Sequence, residues 1–193
     1  MKKLLILALV LFALPGYSQK WEKNYESVDN CVCGLSKVKK NGKTGYVNKE
    51  GVEIIKLQYN DGLTFNEGYT AVKLDNRWLY VDSTGKSVTE AVFEDAASFS
   101  NGMAAVSKNN LFGYINTMGK VVIDFEFSNA RNFSEGLAPA ANAKGYWGFI
   151  DVKGGWVIKP AYNFTDSFEN GEARVMKGEK ILYIDKTNKV VHE

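Results

Sequence analysis

One aromatic column fixes what this chain is able to fold into. Tyr46, Tyr80, Tyr114, Phe149 and Tyr183 are separated by 34, 34, 35 and 34 residues, and each is followed by Val or Ile and then by Asn or Asp. Gly51, Gly85, Gly119, Gly154 and Asn188 keep the same intervals, as do Gly34, Gly68, Gly102, Gly136 and Gly171. Two further columns read Tyr25, Tyr59, Phe93, Phe127, Tyr162 and Cys31, Phe65, Phe99, Phe133, Phe168. A fixed period of this length means small units that bury their apolar faces against one another, so the stack and not the single unit is the stable object. The columns divide the chain into five units, 25–58, 59–92, 93–126, 127–161 and 162–193, with 19–24 as a short N-terminal segment.

The punctuation inside each unit is that of antiparallel strands. A two-residue step recurs as Asn41-Gly42, Asp75-Asn76, Asn109-Asn110, Lys144-Gly145 and Gly178-Glu179. Most of these residues accept the positive φ of a primed hairpin turn. A second step runs Asn48 to Gly51, Asp82 to Gly85, Asn116 to Gly119, Asp151 to Gly154 and Asp185 to Asn188. An Asx side chain opening the turn and a left-handed Gly or Asn closing it predict a type I turn with a bulge. The runs between are rich in Val, Ile, Tyr, Trp and Thr, as strands require. Each unit therefore reads as a three-stranded antiparallel meander. An irregular connection such as 93–102, with room for one helical turn, leads to the next unit. The fold class is all-β, five tandem units of about 34 residues in an open solenoid-like array, with a closed propeller-like ring as the alternative.

The first residues carry a different message. Lys2 and Lys3 precede an unbroken apolar run from Leu4 to Leu14, which is too short to span a bilayer and fits the apolar region of a secretory signal. Gly16 and Ser18 place cleavage after Ser18, giving an exported protein, periplasmic or secreted, with no membrane span left after cleavage. Loss of Lys2 and Lys3 leaves 22 basic residues against 22 acidic. That balance excludes the basic field a nucleic-acid or anionic-membrane partner would want. One His and two Cys are too few for a rich metal site.

In combination these residues resemble the WG or KWG repeat family. Trp147-Gly148-Phe149-Ile150-Asp151 followed by Ile158-Lys159-Pro160-Ala161-Tyr162 matches one half of its unit, and Phe133-Ser134-Glu135-Gly136-Leu137-Ala138 the other. Thr44, Phe112 and Ile181 stand where the family has Trp, and Leu79 and Leu182 where it has Gly. The Trp-Gly dipeptide survives once, so it is not a catalytic requirement here. The resemblance implies a β-rich repeat of bacterial envelope or secreted proteins and carries no reaction, cofactor or catalytic residue.

Candidates for chemistry are few. The Asn/Asp column from Asn48 to Asp185 supplies one side chain per unit, short of the six to eight oxygens calcium wants, and reads as turn capping. Glu67, Asn101, Glu135 and Asn170 alternate, which denies them a constant acid–base role. Cys31 and Cys33 admit three readings: a strained disulfide, a soft-metal or redox pair, or two small residues packing where later units carry Phe and an acid. The register favours packing for Cys31. No Gly-x-Ser-x-Gly elbow and no phosphate-binding Gly-rich loop occurs. Tyr146, Trp147 and Trp156 form the candidate recognition patch, because Trp156 takes a position filled by Glu53, Ser87, Val121 and Val190 elsewhere. The sequence thus predicts an exported, non-enzymatic binding or scaffolding module of the bacterial cell envelope with a protein partner and no cofactor. A glycan-binding module using exposed aromatics is the second reading, and a thiol-dependent metal or redox accessory protein the third.

Overall fold

The structure, a computed structural model, describes residues 20–90 and 92–193. The predicted leader and its cleavage site lie outside the described residues. After a 3₁₀ turn, Lys20–Asn24, the chain is all strand and turn. The first sheet holds β1 (Ser27–Val28), β2 (Leu35–Lys40), β3 (Lys43–Asn48) and β4 (Glu53–Tyr59). The second holds β5 (Asp61–Gly62), β6 (Tyr69–Leu74) and β7 (Arg77–Asp82). The third holds β8 (Asp95–Ala96), β9 (Met103–Lys108), β10 (Leu111–Asn116) and β11 (Val121–Phe127). The fourth holds β12 (Asn129–Ala130), β13 (Ala138–Ala141), β14 (Trp147–Ile150) and β15 (Trp156–Tyr162), and the fifth β16 (Phe164–Thr165), β17 (Glu172–Lys177), β18 (Lys180–Asp185) and β19 (Val190–His192). Neighbours in sequence are neighbours in each sheet, and every pairing is antiparallel.

The longer strands are those the turns predict, except that the third strand expected of the second unit, Lys86 to Glu90, does not form. The connection differs: it contains no helical turn but a two-residue strand paired to the strand that follows, such as Asp61↔Lys73 and Gly62↔Val72. A tight turn then closes it, with Asn66 and Tyr69 exchanging both backbone hydrogen bonds around Glu67 and Gly68 at φ 51° and 85°. Two residues are too few for an alternating pattern to show in the sequence. The predicted two-residue steps form at Asn41-Gly42, Asp75-Asn76 and Asn109-Asn110, each pair at positive φ. Lys144-Gly145 does not form one. The extra residue of the fourth unit turns that hairpin into a five-residue loop, in which the Asn142 side chain accepts from Lys144 N–H and Tyr146 N–H and Gly145 closes at φ 81°.

The sheets are joined face to face. Tyr46 and Ile55 of the first meet Phe65, Val72, Leu79 and Val81 of the second. Equivalent clusters join the second to the third around Tyr80 and Phe99, the third to the fourth around Tyr114 and Phe133, and the fourth to the fifth around Phe149 and Phe168. Each ring so buried contributes about 1.5–3 kcal/mol before ordering entropy is counted. Isolated sheets of this size are marginal, so the junctions supply the stability. Each strand ladder stays within its own sheet, the apolar clusters join consecutive sheets, and among the described residues the array is open.

One column explains both the regular sheets and the irregular one. Pairing of β3 with β4 jumps from Thr44↔Tyr59 to Tyr46↔Ile55, so the outer strand bulges over Gly45. A Cβ there would sit 2.6 Å from the Ile55 carbonyl oxygen and 2.9 Å from Leu57 N. A Cβ on Gly113 would meet the Ile123 carbonyl oxygen at 2.6 Å, and one on Gly148 would press on Ile158 and Pro160 in the same way. Glycine is what permits so close a backbone approach. In the second sheet this position is Leu79. There the outer strand breaks into isolated bridges at Val81–Ser87 and Trp78–Phe93, and the Thr89 hydroxyl replaces a ladder carbonyl in accepting from Tyr80 N–H at 3.0 Å.

Candidate functional site

The phase-locked side chains are occupied in holding sheet to sheet. The Tyr46, Tyr80 and Tyr114 hydroxyls donate to the carbonyls of Leu63, Ala97 and Arg131 in the following sheet, at 2.6, 2.6 and 2.8 Å. Burial pushes all three hydroxyls well above the usual tyrosine range, so they remain donors at any physiological pH. Gly62 packs directly against the Tyr46 hydroxyl, and Ala96 and Ala130 are its equivalents in the next units. The fourth junction exchanges the pair: Phe149 lacks the hydroxyl and Thr165 holds the small-residue position. The Thr165 Oγ1 is buried without a hydrogen-bond partner among the described residues.

A second chain of clasps links the tight turns. Asn66 Nδ2, Ser100 Oγ and Ser134 Oγ donate to the carbonyls of Phe99, Phe133 and Phe168, each in the next unit, at 2.8, 2.8 and 2.6 Å. The Glu67 carboxylate accepts from Asn101 N–H and Gly102 N–H, and the Glu135 carboxylate from Gly171 N–H. The Glu–Asn alternation is thus a reciprocal arrangement in which an acid on one turn caps an Asn-Gly turn on the next. Lys186, at 3.0 Å, and the Gly171 N–H hold Glu135 below the usual carboxylate range. Asn48, Asp82, Asn116, Asp151 and Asp185 each accept two backbone N–H groups of their own turn, and the Thr187 hydroxyl adds a third donor at Asp185.

Cys31 and Cys33 are free and exposed. Cys33 occupies the left-handed turn position that Glu67 and Glu135 hold in later units, at φ 53°, and Cys31 borders a cavity of about 320 Å³ beside Trp21, Val28 and Lys49. Among the described residues no group of three His, Cys, Asp or Glu side chains is placed to hold a metal ion.

Tyr146, Trp147 and Trp156 are not brought together. Trp147 is 8% exposed and packs toward the fifth sheet beneath the Arg131 guanidinium, which lies 5.1 Å from its ring and 4.7 Å from that of Phe164. Trp156 packs on the opposite face of the same sheet, edge-on to Phe127 at 5.5 Å. Tyr146, 44% exposed, sits in the five-residue loop. Strand alternation is the reason: a half-turn of register sends neighbouring positions to opposite faces.

Exposed apolar side chains recur at one phase on the outer strands. Ile54, Val122, Val157 and Val191 share one phase and are 38, 43, 49 and 48% exposed. With Val88 they form an unbroken β-branched column that was readable in the sequence beside the aromatic ones. A cavity of about 540 Å³ lined by Ser134, Glu135 and 166–170 borders the last junction, and one of about 270 Å³ beside it includes Glu172, Arg174 and Tyr183.

A family model described as a WG containing repeat matches residues 45–78, 80–112, 112–142 and 147–180. No curated protein matches the chain. Among solved structures it is similar to KlHsv2 with loop 6CD replaced by a Gly-Ser linker, with a TM-score of 0.57 and 14% identity over 87% of this chain and 64% of that one. The computationally designed Ika8 protein gives a TM-score of 0.56 and 10% identity over 86% and 61%. Kluyveromyces lactis Hsv2 with its complete loop 6CD gives 0.56 and 13% over 82% and 58%. The chain spans less than two thirds of the length of each, and at these identities the likeness concerns the fold alone.

Proposed function

This chain belongs to the WG-containing repeat family, and from that premise we propose that it is an exported, non-enzymatic binding or scaffolding module of the bacterial cell envelope that holds a protein partner on its outer rim. The supporting observation is the exposed column Ile54, Val122, Val157 and Val191. The phase-locked residues at the junctions are engaged in stacking and capping, whereas this column is equally regular and faces solvent. Aliphatic residues on exposed edge strands are what a partner's strand or apolar face uses. The buried setting of Trp147 and the opposite facing of Trp156 give the glycan reading no shared platform.

Crosslinking from the native envelope, with wild type compared against a Val122→Glu, Val157→Glu variant, tests the proposal. One partner captured by wild type and lost by the variant is the expected result. Equal capture by both refutes the rim. An intact N-terminus in the envelope fraction, without cleavage before Gln19, refutes export by a cleaved signal.

A further inference from the structure

Residues 19–193 carry 22 basic and 22 acidic side chains, but the fold does not spread them evenly. The hairpins that join the second and third strands of each sheet, at 39–43, 73–77, 107–111, 141–146 and 176–180, hold nine Lys or Arg against two acids, which leaves 13 against 20 for the rest of that span. Because equivalent residues join each sheet to the next, the hairpins lie side by side at one end of the array. A Cβ on Gly62, whose strand partner Val72 precedes Lys73, would meet the Thr44 side chain beside Lys43 at 3.2 Å. Arg131 likewise stacks on Trp147 beside Tyr146 and on Phe164, whose partner Met176 precedes Lys177. Stacked sheets lie about 10 Å apart, close to the screening length at physiological salt, so neighbouring hairpins act as one field. Little of that charge is neutralised within the fold. Arg77 pairs with Glu94 at 3.0 Å, whereas Lys40, Lys43, Lys108, Lys144, Lys177 and Lys180 make no ion pair among the described residues. Lys40 stands directly opposite Lys43, and Lys177 opposite Lys180, and like charges so placed oppose strand pairing. Each of the three middle hairpins also lifts one large side chain into solvent: Leu74, Leu111 and Tyr146 are 37, 38 and 44% exposed.

We propose that this hairpin end docks on the surface of a bilayer rich in anionic lipid, with its lysines over the headgroup phosphates and Leu74, Leu111 and Tyr146 entering the interface. Basic side chains interspersed with apolar ones are what such a surface takes up. A tyrosine is suited to the headgroup level, where one end of its ring is apolar and the other wet. An acidic polysaccharide or a nucleic acid would be met by the charge alone, and gives the three exposed side chains no role. The equality of the charge totals argues against an anionic partner only for the molecule as a whole, since a surface is read through its local field. The rim column lies on the outer strands, away from the hairpins, so the inference stands apart from what the rim binds.

Co-sedimentation of the full chain with vesicles of phosphatidylglycerol and phosphatidylcholine in equal parts, against vesicles of phosphatidylcholine alone, tests it. The protein should pellet with the anionic vesicles, and less of it as salt is raised. A lysine near an anionic surface is worth roughly fivefold in binding, so Lys40→Gln with Lys43→Gln should weaken it at least tenfold. Leu74→Ser, Leu111→Ser and Tyr146→Ser together should weaken it at least fivefold. On the vesicles Lys108 and Lys144 should be protected from acetylation, while Lys120 and Lys153, at the opposite turns, stay reactive. Equal pelleting with neutral vesicles, full binding by the lysine variant, or protection of Lys120 and Lys153 in place of Lys108 and Lys144 would each overturn the proposal. Full binding by the serine variant would overturn it too, by reassigning the end to a soluble polyanion.

Discussion

The second sheet and the third differ at the glycine of the repeat signature, Leu79 against Gly113, and their outer edges differ with it. Gly113 lets β11 cross at a Cβ-excluding distance, and the strand runs unbroken from Val121 to Phe127. Leu79 fills that space, buried in the first junction, and the equivalent stretch from Lys86 to Phe93 survives as two bridges. The glycine of the family's dipeptide is therefore a steric requirement for the fourth strand.

The most disruptive way to break this comparison is Gly148→Leu, which sets a side chain against the Ile158 carbonyl. Detaching β15 exposes Ile158 and Tyr162, and a loss of about 3–5 kcal/mol is expected in urea unfolding. A loss under about 1 kcal/mol would mean that the strand adjusts freely. Next comes Tyr80→Phe, which orphans the Ala97 carbonyl at an intact junction. It should cost about 1–2 kcal/mol, measured the same way. The exchanged fourth junction sharpens the point: Phe149→Tyr alone should destabilise by overpacking Thr165, while Phe149→Tyr with Thr165→Ala should recover most of the loss. Thr165→Val, which removes the unpartnered hydroxyl, should stabilise by about 1 kcal/mol.

The smallest effect concerns pH. Glu135 titrates below its usual value of 4.5 because Lys186 and Gly171 N–H favour its charged form. Its stabilisation is present above 4.5 and is lost as pH falls through the lowered value. Glu135→Gln should therefore melt earlier than wild type at pH 7, and the gap should close in acid. A gap independent of pH would assign the effect to shape.

Much of this was legible before any coordinates. The Asx–Gly spacing carried the hairpins because positive φ restricts residue choice so strongly, and Asn188 in place of glycine behaves as expected at φ 70°. The five phased columns carried the stack. Three things were hidden for physical reasons. The short strands such as Asp61–Gly62 have no period to read. The one-residue insertion shows in the 35-residue interval between Tyr114 and Phe149, but its place near Asn142 was masked by a Lys-Gly step that imitates a hairpin turn. The Trp147 and Trp156 positions look equivalent as exposed aromatics until strand pairing assigns them to opposite faces. The rim column from Ile54 to Val191 was legible and was masked by the ordinary preference of strands for β-branched residues.

The central claim is that the signature glycine exists to admit the outer strand, and amide hydrogen exchange on Gly113→Leu tests it most directly. Protection should fall across 121–127 while 103–116 keep theirs. Unchanged protection in β11 would contradict the account.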